Sequence, residues 1–301
     1  MATHVVTGAF SYTGKYITRL LLAEGHTVRT LTGHPRPGDP LSKNVETFPL
    51  DFSDRDGLTR VLRGADTLFN TYWVRFPKGK TTFERAVENS RTLIGAAAAA
   101  ARRLVHVSIT NANSQSPLPY FRGKGLVEEA IADSGLSYAI LRPTVIFGVE
   151  DILLNNIAWS VRRFPIMPIP GDGAYELQPI FVEDLAALAV EAVAGEDRAV
   201  MDAVGPERYS YRDLVRLIAD AVGVRPRLLK LPADVALGMS RRLGMLLRDT
   251  MLTRDEVKGL TAGLLVSGEP PRGRTSLREW ARGNADLLGR TYASEVARHY
   301  R

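Results

Sequence analysis

A glycine-bearing turn joins the first apolar strand of this chain to its first helix, and it restricts the possible folds more than any other feature. Residues 3–9 have the pattern of a strand, Gly8 and Gly14 frame the turn, and residues 14–24 have the apolar spacing of a helix. Glycines at such a turn permit a tight reversal, a close approach of the backbone to pyrophosphate, and close helix–strand packing. The turn therefore predicts a strand–helix unit that binds the phosphates of a dinucleotide.

Strand and helix patterns continue to alternate along the first half of the chain. The predicted strands are 26–31, 45–48, 67–71, 104–109 and 138–141, and the predicted helices are 55–62, 82–102 and 122–133. Alternation with short connections predicts an α/β fold, a doubly wound parallel sheet of the Rossmann type with helices on both faces.

The pattern changes after residue 147, where prolines and glycines interrupt it and the chain then becomes mainly helical. We expect residues 1–148, with 176–205 returning to them, to form the dinucleotide-binding domain. Residues 149–175 and 206–301 are expected to form a smaller, mainly helical substrate domain. Residues 235–247 are apolar with two interposed arginines; packing against that domain is favoured, and a position on a membrane surface is the alternative.

The composition excludes several classes of protein. There is no cysteine among the 301 residues, so disulfides and cysteine-ligated metals are excluded, and we expect no metal site. No apolar run approaches the roughly 18 residues of a membrane span, and no signal peptide is visible, so a cytoplasmic protein without an integral membrane segment is expected. The net charge is +6, but the arginines are scattered, which favours an anionic cofactor over nucleic acid.

The turn itself supplies the first candidate cofactor-binding residues, which are Gly8, Phe10, Ser11, Tyr12, Thr13 and Gly14. Ser11 stands where a Gly-x-x-Gly-x-x-Gly pattern would have its middle glycine. Its hydroxyl can donate to a phosphate, but its side chain also occupies room. A plain strand–helix turn is the alternative interpretation.

The end of the second strand indicates which dinucleotide is bound. No acidic residue follows it until Asp39, whereas His34 and Arg36 are placed to meet the extra phosphate of NADP. NADP is therefore slightly favoured over NAD. Asp51 and Phe52 are candidates for the adenine end, with a helix N-terminal aspartate as an equal alternative. The fourth strand ends with two further candidates, Asn70 and Thr71.

A Tyr-x-x-x-Lys pattern opens the helix after the fifth strand. Tyr120 and Lys124 are four residues apart and share one helix face, where the lysine charge favours ionisation of a phenol whose ordinary pKa is about 10. A hydroxyl from the preceding strand end should bind the substrate oxygen, with Ser108 as the first choice and Thr110 as the second. A surface Tyr/Lys pair is the alternative. Tyr72 and Trp73 are equally compatible with a pocket wall and with the core.

In these motifs the chain resembles the extended and atypical short-chain dehydrogenases/reductases over most of residues 3–205. Asn89 resembles the family's asparagine that supports the catalytic lysine, and residues 141–148 resemble the strand and turn beside the nicotinamide. This second resemblance adds Pro143, Thr144 and Val145 to the candidate cofactor residues. Residues 178–186 resemble the segment that returns to the core domain, and residues 288–292 resemble, more loosely, the complex-I-associated atypical members.

Two departures narrow the expected substrate. Nucleotide-sugar enzymes usually carry asparagine where this chain has Thr144, and sugar dehydratases place an acidic pair in the region where residues 108–113 hold no acid. Ser11 and the non-acidic second strand instead resemble NmrA-like and isoflavone-reductase-like NADP binders. The resemblance implies an NAD(P)-dependent oxidoreductase acting on a small organic alcohol or carbonyl, and a homodimer. The alternatives are an epimerase without net redox change and a non-catalytic NADP-binding sensor or assembly factor.

Overall fold

The computed structural model describes residues 1–250 and 253–299, and strands alternate with helices along most of them. The strands are β1 (Thr3–Thr7), β2 (Thr27–Thr32), β3 (Val45–Pro49), β4 (Thr67–Asn70), β5 (Arg103–Val107), β6 (Ser137–Pro143), β7 (Ile146–Phe147), β8 (Ile166–Pro170), β9 (Glu176–Leu177), β10 (Ile180–Phe181), β11 (Ala199–Ala203), β12 (Tyr209–Ser210) and β13 (Arg227–Leu231). The helices are α1 (Tyr12–Ala23), α2 (Arg55–Leu62), α3 (Phe83–Ala100), α4 (Pro119–Ala132), α5 (Leu153–Arg163), α6 (Val182–Glu191), α7 (Tyr211–Ala221), α8 (Ala233–Leu247), α9 (Arg254–Thr261), α10 (Leu277–Gly283) and α11 (Glu295–His299).

The chain forms two compact units, and their boundaries differ by a few residues from those expected for the domains. The first unit contains residues 1–143 and 182–203, and the second contains 144–181 and 204–301. The segment 176–181, expected to return to the first unit, lies in the second, because β10 pairs with β7 and β9 pairs with β12 there.

A seven-stranded sheet in the order β11-β6-β5-β4-β1-β2-β3 forms the centre of the first unit, and every pair in it is parallel. Helices α2, α3 and α4 pack in a row against one another, and α1 packs against α6. The predicted doubly wound α/β fold is confirmed. The order of strands reverses between β1 and β4, and in such sheets ligands bind in the crevice beyond the carboxyl ends of the strands at this point.

Two separate cores stabilise the two units. In the first, the sheet contributes residues such as Val5, Leu68 and Leu104, which are fully buried against apolar residues of α3 and α4. In the second, α5 and α7 bury an apolar stripe that includes Leu154 and Ile218. Burial of such side chains from water contributes about 1.5–3 kcal/mol each. The first core packs against the strands and helices of the first unit, whose ends carry most of the candidate site residues.

Candidate functional site

The turn after β1 has the geometry that the glycine pattern predicts. Gly8 has a φ of +68°, a conformation that favours glycine, and its amide donates to the carbonyl of Leu31 over 2.9 Å. A Cβ on Gly14 would lie 2.2 Å from the carbonyl oxygen of Gly8, so any side chain there would collide with backbone. The start of α1 is therefore pressed against the end of β1.

Ser11 folds its side chain into this turn. Its hydroxyl donates to the carbonyl of Gly8 over 2.6 Å, and its amide donates to the same oxygen over 2.8 Å. The hydroxyl forms no cap on α1, whose first helical bond runs from the amide of Lys15 to the carbonyl of Ser11. The first amides of a helix have no acceptor within the helix, and a helix N-terminus favours an anion such as a phosphate.

The other residues of the turn differ in exposure. Phe10 is buried in the first unit, and Tyr12 and Thr13 are half-buried at the start of α1. Asn70 and Thr71 tie the end of β4 to the end of β1. The amide of Thr71 donates to the hydroxyl of Thr7 over 2.8 Å, and its own hydroxyl donates to the Thr7 carbonyl over 2.7 Å. The floor of the crevice between β1 and β4 is therefore hydrogen-bonded and fixed.

Basic and neutral groups follow the end of β2. His34 and Arg36 are exposed, and the amide of His34 donates to the hydroxyl of Thr32 over 3.0 Å. The nearest acid, Asp39, accepts from the amide of Leu41 and caps a short 3-10 turn. Residues 33–38 include no acidic residue that could bind the ribose hydroxyls of NAD.

Asp51 caps a turn and not a helix. Its carboxylate accepts from the amide and the hydroxyl of Ser53, and these bonds lower the pKa of Asp51. The N-cap of α2 is Asp54, which accepts from the amide of Gly57 over 2.8 Å. Phe52, the other candidate for the adenine end, packs its ring 4.7 Å from that of Tyr72.

Tyr120 and Lys124 lie one turn apart on α4, and the indole of Trp73, from the loop after β4, contacts both. The ring of Tyr120 meets Trp73 and Phe83 edge-on, with centroids 6.0 and 5.9 Å away. Trp73 rests on Gly123, where a Cβ would lie 2.8 Å from the indole. Gly123 therefore makes room on the helix face between the tyrosine and the lysine.

Lys124 is buried, with 3% of its surface exposed. Its ammonium nitrogen donates to the carbonyl of Val107 over 2.9 Å and lies 4.9 Å from the centre of the Trp73 ring. Burial lowers the pKa of Lys124 to about 7, against the opposite effect of the nearby Glu128. The fully buried His106 is held neutral, because burial and Lys124 lower its pKa well below the ordinary value.

Both candidate hydroxyls of the β5 end have protein partners. Ser108 is buried and donates to Glu128, which also forms an ion pair with Arg142. Thr110 is fully buried and donates to the carbonyl of Arg142 over 2.8 Å. The sequence interpretation missed Glu128 and Arg142. The available signal was Glu128 itself, one helical turn after Lys124 on the same face.

The family resemblance implies that Asn89 supports Lys124, but the hydrogen bonds of the two side chains go to other residues. The side-chain amide of Asn89 donates to the hydroxyl of Tyr72 over 2.9 Å, while Lys124 bonds to Val107. Burial raises the pKa of Tyr72, so this phenol is neutral in the physiological range. Asn89 thus fixes the segment after β4 that also carries Trp73.

The last three candidate cofactor residues, Pro143, Thr144 and Val145, lie at or just after the end of β6 and are divided between the two units. Pro143 ends β6 in the first unit, where its carbonyl accepts from the amide of Thr110 over 2.9 Å. Thr144 and Val145 belong to the second unit. The Thr144 hydroxyl donates to the carbonyl of Gln178, and the Val145 carbonyl accepts from the amide of Ile180 over 2.8 Å.

Two features are absent from the described residues, 1–250 and 253–299: a metal-binding cluster and a membrane-spanning helix. No group of three or more His, Asp or Glu side chains is arranged there to hold a metal ion. No helix there is long and apolar enough to cross a bilayer.

Comparison with known proteins agrees with this geometry. Residues 8–151 match the family model described as NAD(P)H-binding. A mitochondrial NADH dehydrogenase [ubiquinone] 1 alpha subcomplex subunit 9 of Arabidopsis thaliana is 25% identical over 87% of this chain and 70% of its own length. A ceramide reductase of Caulobacter vibrioides is 26% identical over 75% of this chain and 73% of its own length.

A solved structure shows the same fold. Triphenylmethane reductase of Citrobacter superposes with a TM-score of 0.78 at 15% identity, over 94% of this chain and 99% of that one. The family match over residues 8–151 and the parallel sheet together identify an NAD(P)-binding protein of Rossmann fold, similar to the atypical short-chain dehydrogenases/reductases.

Proposed function

We propose that this protein is an NAD(P)H-dependent reductase that converts a small organic carbonyl compound to an alcohol, with NADPH as the preferred cofactor. The observation that carries the proposal is the arrangement on α4, where Tyr120 and the buried amine of Lys124 lie one turn apart and both contact the Trp73 indole. The ceramide reductase relative supports a reductase.

The residues of the first unit fit a dinucleotide. The positive φ of Gly8 and the backbone contact at Gly14 allow the tight turn that a pyrophosphate-binding site needs, and the Ser11 hydroxyl in it could donate to a phosphate. The first-turn amides of α1 would bind its oxygens. His34 and Arg36 would bind the additional phosphate of NADP, because they follow β2 without an acidic neighbour.

NADPH, when bound, supplies the hydride that reduces the substrate carbon. Tyr120 donates a proton to the substrate oxygen as negative charge develops there. The charge of Lys124 would stabilise the phenolate that remains after this proton transfer, which makes the donation easier. Because burial sets the pKa of Lys124 at about 7, its charge is present below that pH and is lost above it.

Ser108 stays the first candidate for the hydroxyl that binds the substrate oxygen, and Thr110 the second. Either one would have to exchange its present acceptor for the substrate, Ser108 leaving Glu128 and Thr110 leaving the Arg142 carbonyl. The cytoplasm stays the expected compartment, and a homodimer the expected assembly.

The test separates binding from chemistry. Calorimetric titration of nucleotide-stripped protein with NADPH and then NADH comes first, followed by NADPH oxidation with a panel of aldehydes and ketones. Tyr120→Phe should leave the Kd for NADPH within about twofold and lower kcat by about 10²-fold or more, since it removes only the proton donor. Tyr72→Phe, which removes a neighbouring hydroxyl, is the matched control. Equal turnover of Tyr120→Phe and wild type would exclude Tyr120 as the acid.

A non-catalytic NADP-binding subunit is the second candidate. Two observations favour it: the Ser11 side chain occupies the phosphate turn, and one of the relatives is a complex I subunit. Tight NADPH binding without turnover on the whole panel would make this the better proposal. For an epimerase, substrate would be converted without net NADPH consumption.

A further inference from the structure

Helix α8 in the second unit has an outer face that is apolar and basic at once. Its inner side, including Ala236, Leu237 and Gly244, is buried against the unit. At 3.6 residues per turn, the opposite side carries four exposed large apolar residues, Val235, Met239, Met245 and Leu246. Met245 and Leu246 are the most exposed of these, at 72% and 79%. A surface helix ordinarily has charged and polar residues on that side.

Positive charge is concentrated around the same helix. Between residues 225 and 248 the chain has six basic residues and one acidic residue, a net charge of +5, while the whole chain carries +6. The basic residues are Arg225, Arg227, Lys230, Arg241, Arg242 and Arg248, and all six are exposed. Within the described residues none of them forms an ion pair, and the single acid, Asp234, pairs with Arg254 from α9.

We propose that this outer face of α8, with the basic residues that flank it, docks the protein on the surface of a membrane that contains anionic phospholipids. The apolar side chains would enter the boundary between headgroups and acyl chains. The long arginine side chains would reach back to lipid phosphates. The helix is too short and too charged to cross the bilayer, so the contact is peripheral.

Charge and apolarity together select this partner over others. A second copy of the chain would bring a segment of charge +5 against its equal, which like-charge repulsion opposes. Nucleic acid would satisfy the arginines, but it would leave Met245 and Leu246 in water. An anionic bilayer satisfies both, since each basic residue near such a surface contributes about 1 kcal/mol and apolar insertion adds to it.

Vesicle flotation of the full chain tests the proposal. Wild-type protein should float with vesicles of phosphatidylcholine mixed with phosphatidylglycerol at low salt. It should remain unbound with phosphatidylcholine alone, and high salt should release it. Arg241→Gln with Arg242→Gln should weaken partitioning roughly 30-fold, from about 1 kcal/mol for each charge. Met245→Ser with Leu246→Ser should weaken it by about 100-fold.

Two matched controls lie in the same unit. Leu287 is an apolar residue that is 58% exposed and lies outside the α8 face, and Leu287→Ser is the control for lost apolarity. Arg278→Gln with Arg282→Gln removes two exposed arginines from α10 and is the control for lost charge. Both should partition like wild type. Melting temperatures within a degree or so of wild type would show that the variants fold, as expected for exposed positions.

Three results would overturn the proposal. The first is no flotation of wild-type protein with anionic vesicles at low salt. The second is flotation that the Met245→Ser, Leu246→Ser variant retains in full. The third is a concentration-dependent dimer, or a complex with duplex DNA, that the same substitutions abolish while vesicle binding is absent.

Discussion

Lys124 gives the sharpest test of the site, because its ammonium group lies where a charge is costly. The residue is 3% exposed, and burial lowers its pKa from 10.5 to about 7. Unfolding returns the amine to water, so the unfolded chain binds more protons than the folded chain between pH 7 and pH 10.5. The contribution of Lys124 to stability must therefore rise with pH across this window.

The size of the effect follows from the two pKa values. A single group with a pKa of 10.5 unfolded and about 7 folded lowers the free energy of unfolding by about 4 kcal/mol at pH 7 and by about 2 kcal/mol at pH 9. Lys124→Met removes the titration and nearly keeps the volume. We predict that wild type gains about 2 kcal/mol relative to this variant between pH 7 and pH 9.

Urea denaturation at the two pH values, followed by circular dichroism, measures this difference. Loss of the bond to the Val107 carbonyl lowers the stability of Lys124→Met, but equally at both pH values, and contributions from titrating groups distant from Lys124 cancel in the comparison. Val127→Ala, a fully buried and non-titrating position on α4, is the control and should run parallel to wild type. Parallel behaviour of Lys124→Met would refute the lowered pKa and with it the proposed loss of charge above pH 7.

Three further substitutions probe other parts of the chain. Gly14→Ala should abolish calorimetric NADPH binding and lower the melting temperature, because the new Cβ would lie 2.2 Å from the backbone oxygen of Gly8; unchanged binding would mean that the turn is not the phosphate site. Arg36→Ala should weaken NADPH by about tenfold or more and NADH little, and equal losses would show that it does not bind the phosphate. Burial raises the pKa of Asp151 from 3.8 to about 7 in the folded protein. The folded protein therefore loses stability as the pH rises from the unfolded-state pKa to the folded-state pKa. Asp151→Asn should therefore gain about 2–3 kcal/mol more over wild type at pH 8 than at pH 5, whereas a pH-independent difference in urea denaturation would contradict the raised pKa.

The fold was predictable because its signals are local. The alternation of strand and helix patterns predicts the parallel sheet, and α2 has the predicted bounds, Arg55–Leu62, because Asp54 caps it. Where ends differ, the cause is also local. Helix α4 begins at Pro119, three residues before the predicted start, because proline suits the first position of a helix. Tyr120 therefore lies inside the helix and within one turn of Lys124.

The partners of the candidate side chains were not predictable, since contacts across the sheet leave no periodic pattern. Ser108 was expected to face the substrate, yet nothing in residues 108–113 indicates that Glu128 would accept a hydrogen bond from its hydroxyl. Asn89 was expected near Lys124 because family members place it there. Its side-chain amide instead donates to the hydroxyl of Tyr72, which lies 17 residues earlier, after β4. Such pairings depend on which strands are neighbours and on the direction of each side chain.

Gly123 shows how a short motif can hold more information than its two named ends. In Tyr-x-x-x-Lys the intervening residues are unspecified, but here the residue before the lysine must be small, because the Trp73 indole rests on it. The same indole lies against the ring of Tyr120 and under the amine of Lys124, so one side chain fixes the positions of both. The indole also helps to exclude water from the amine, and it is this exclusion that lowers the pKa of Lys124. In this chain the electrostatics of the pair therefore depend on an aromatic residue from the loop after β4 as much as on the helical spacing.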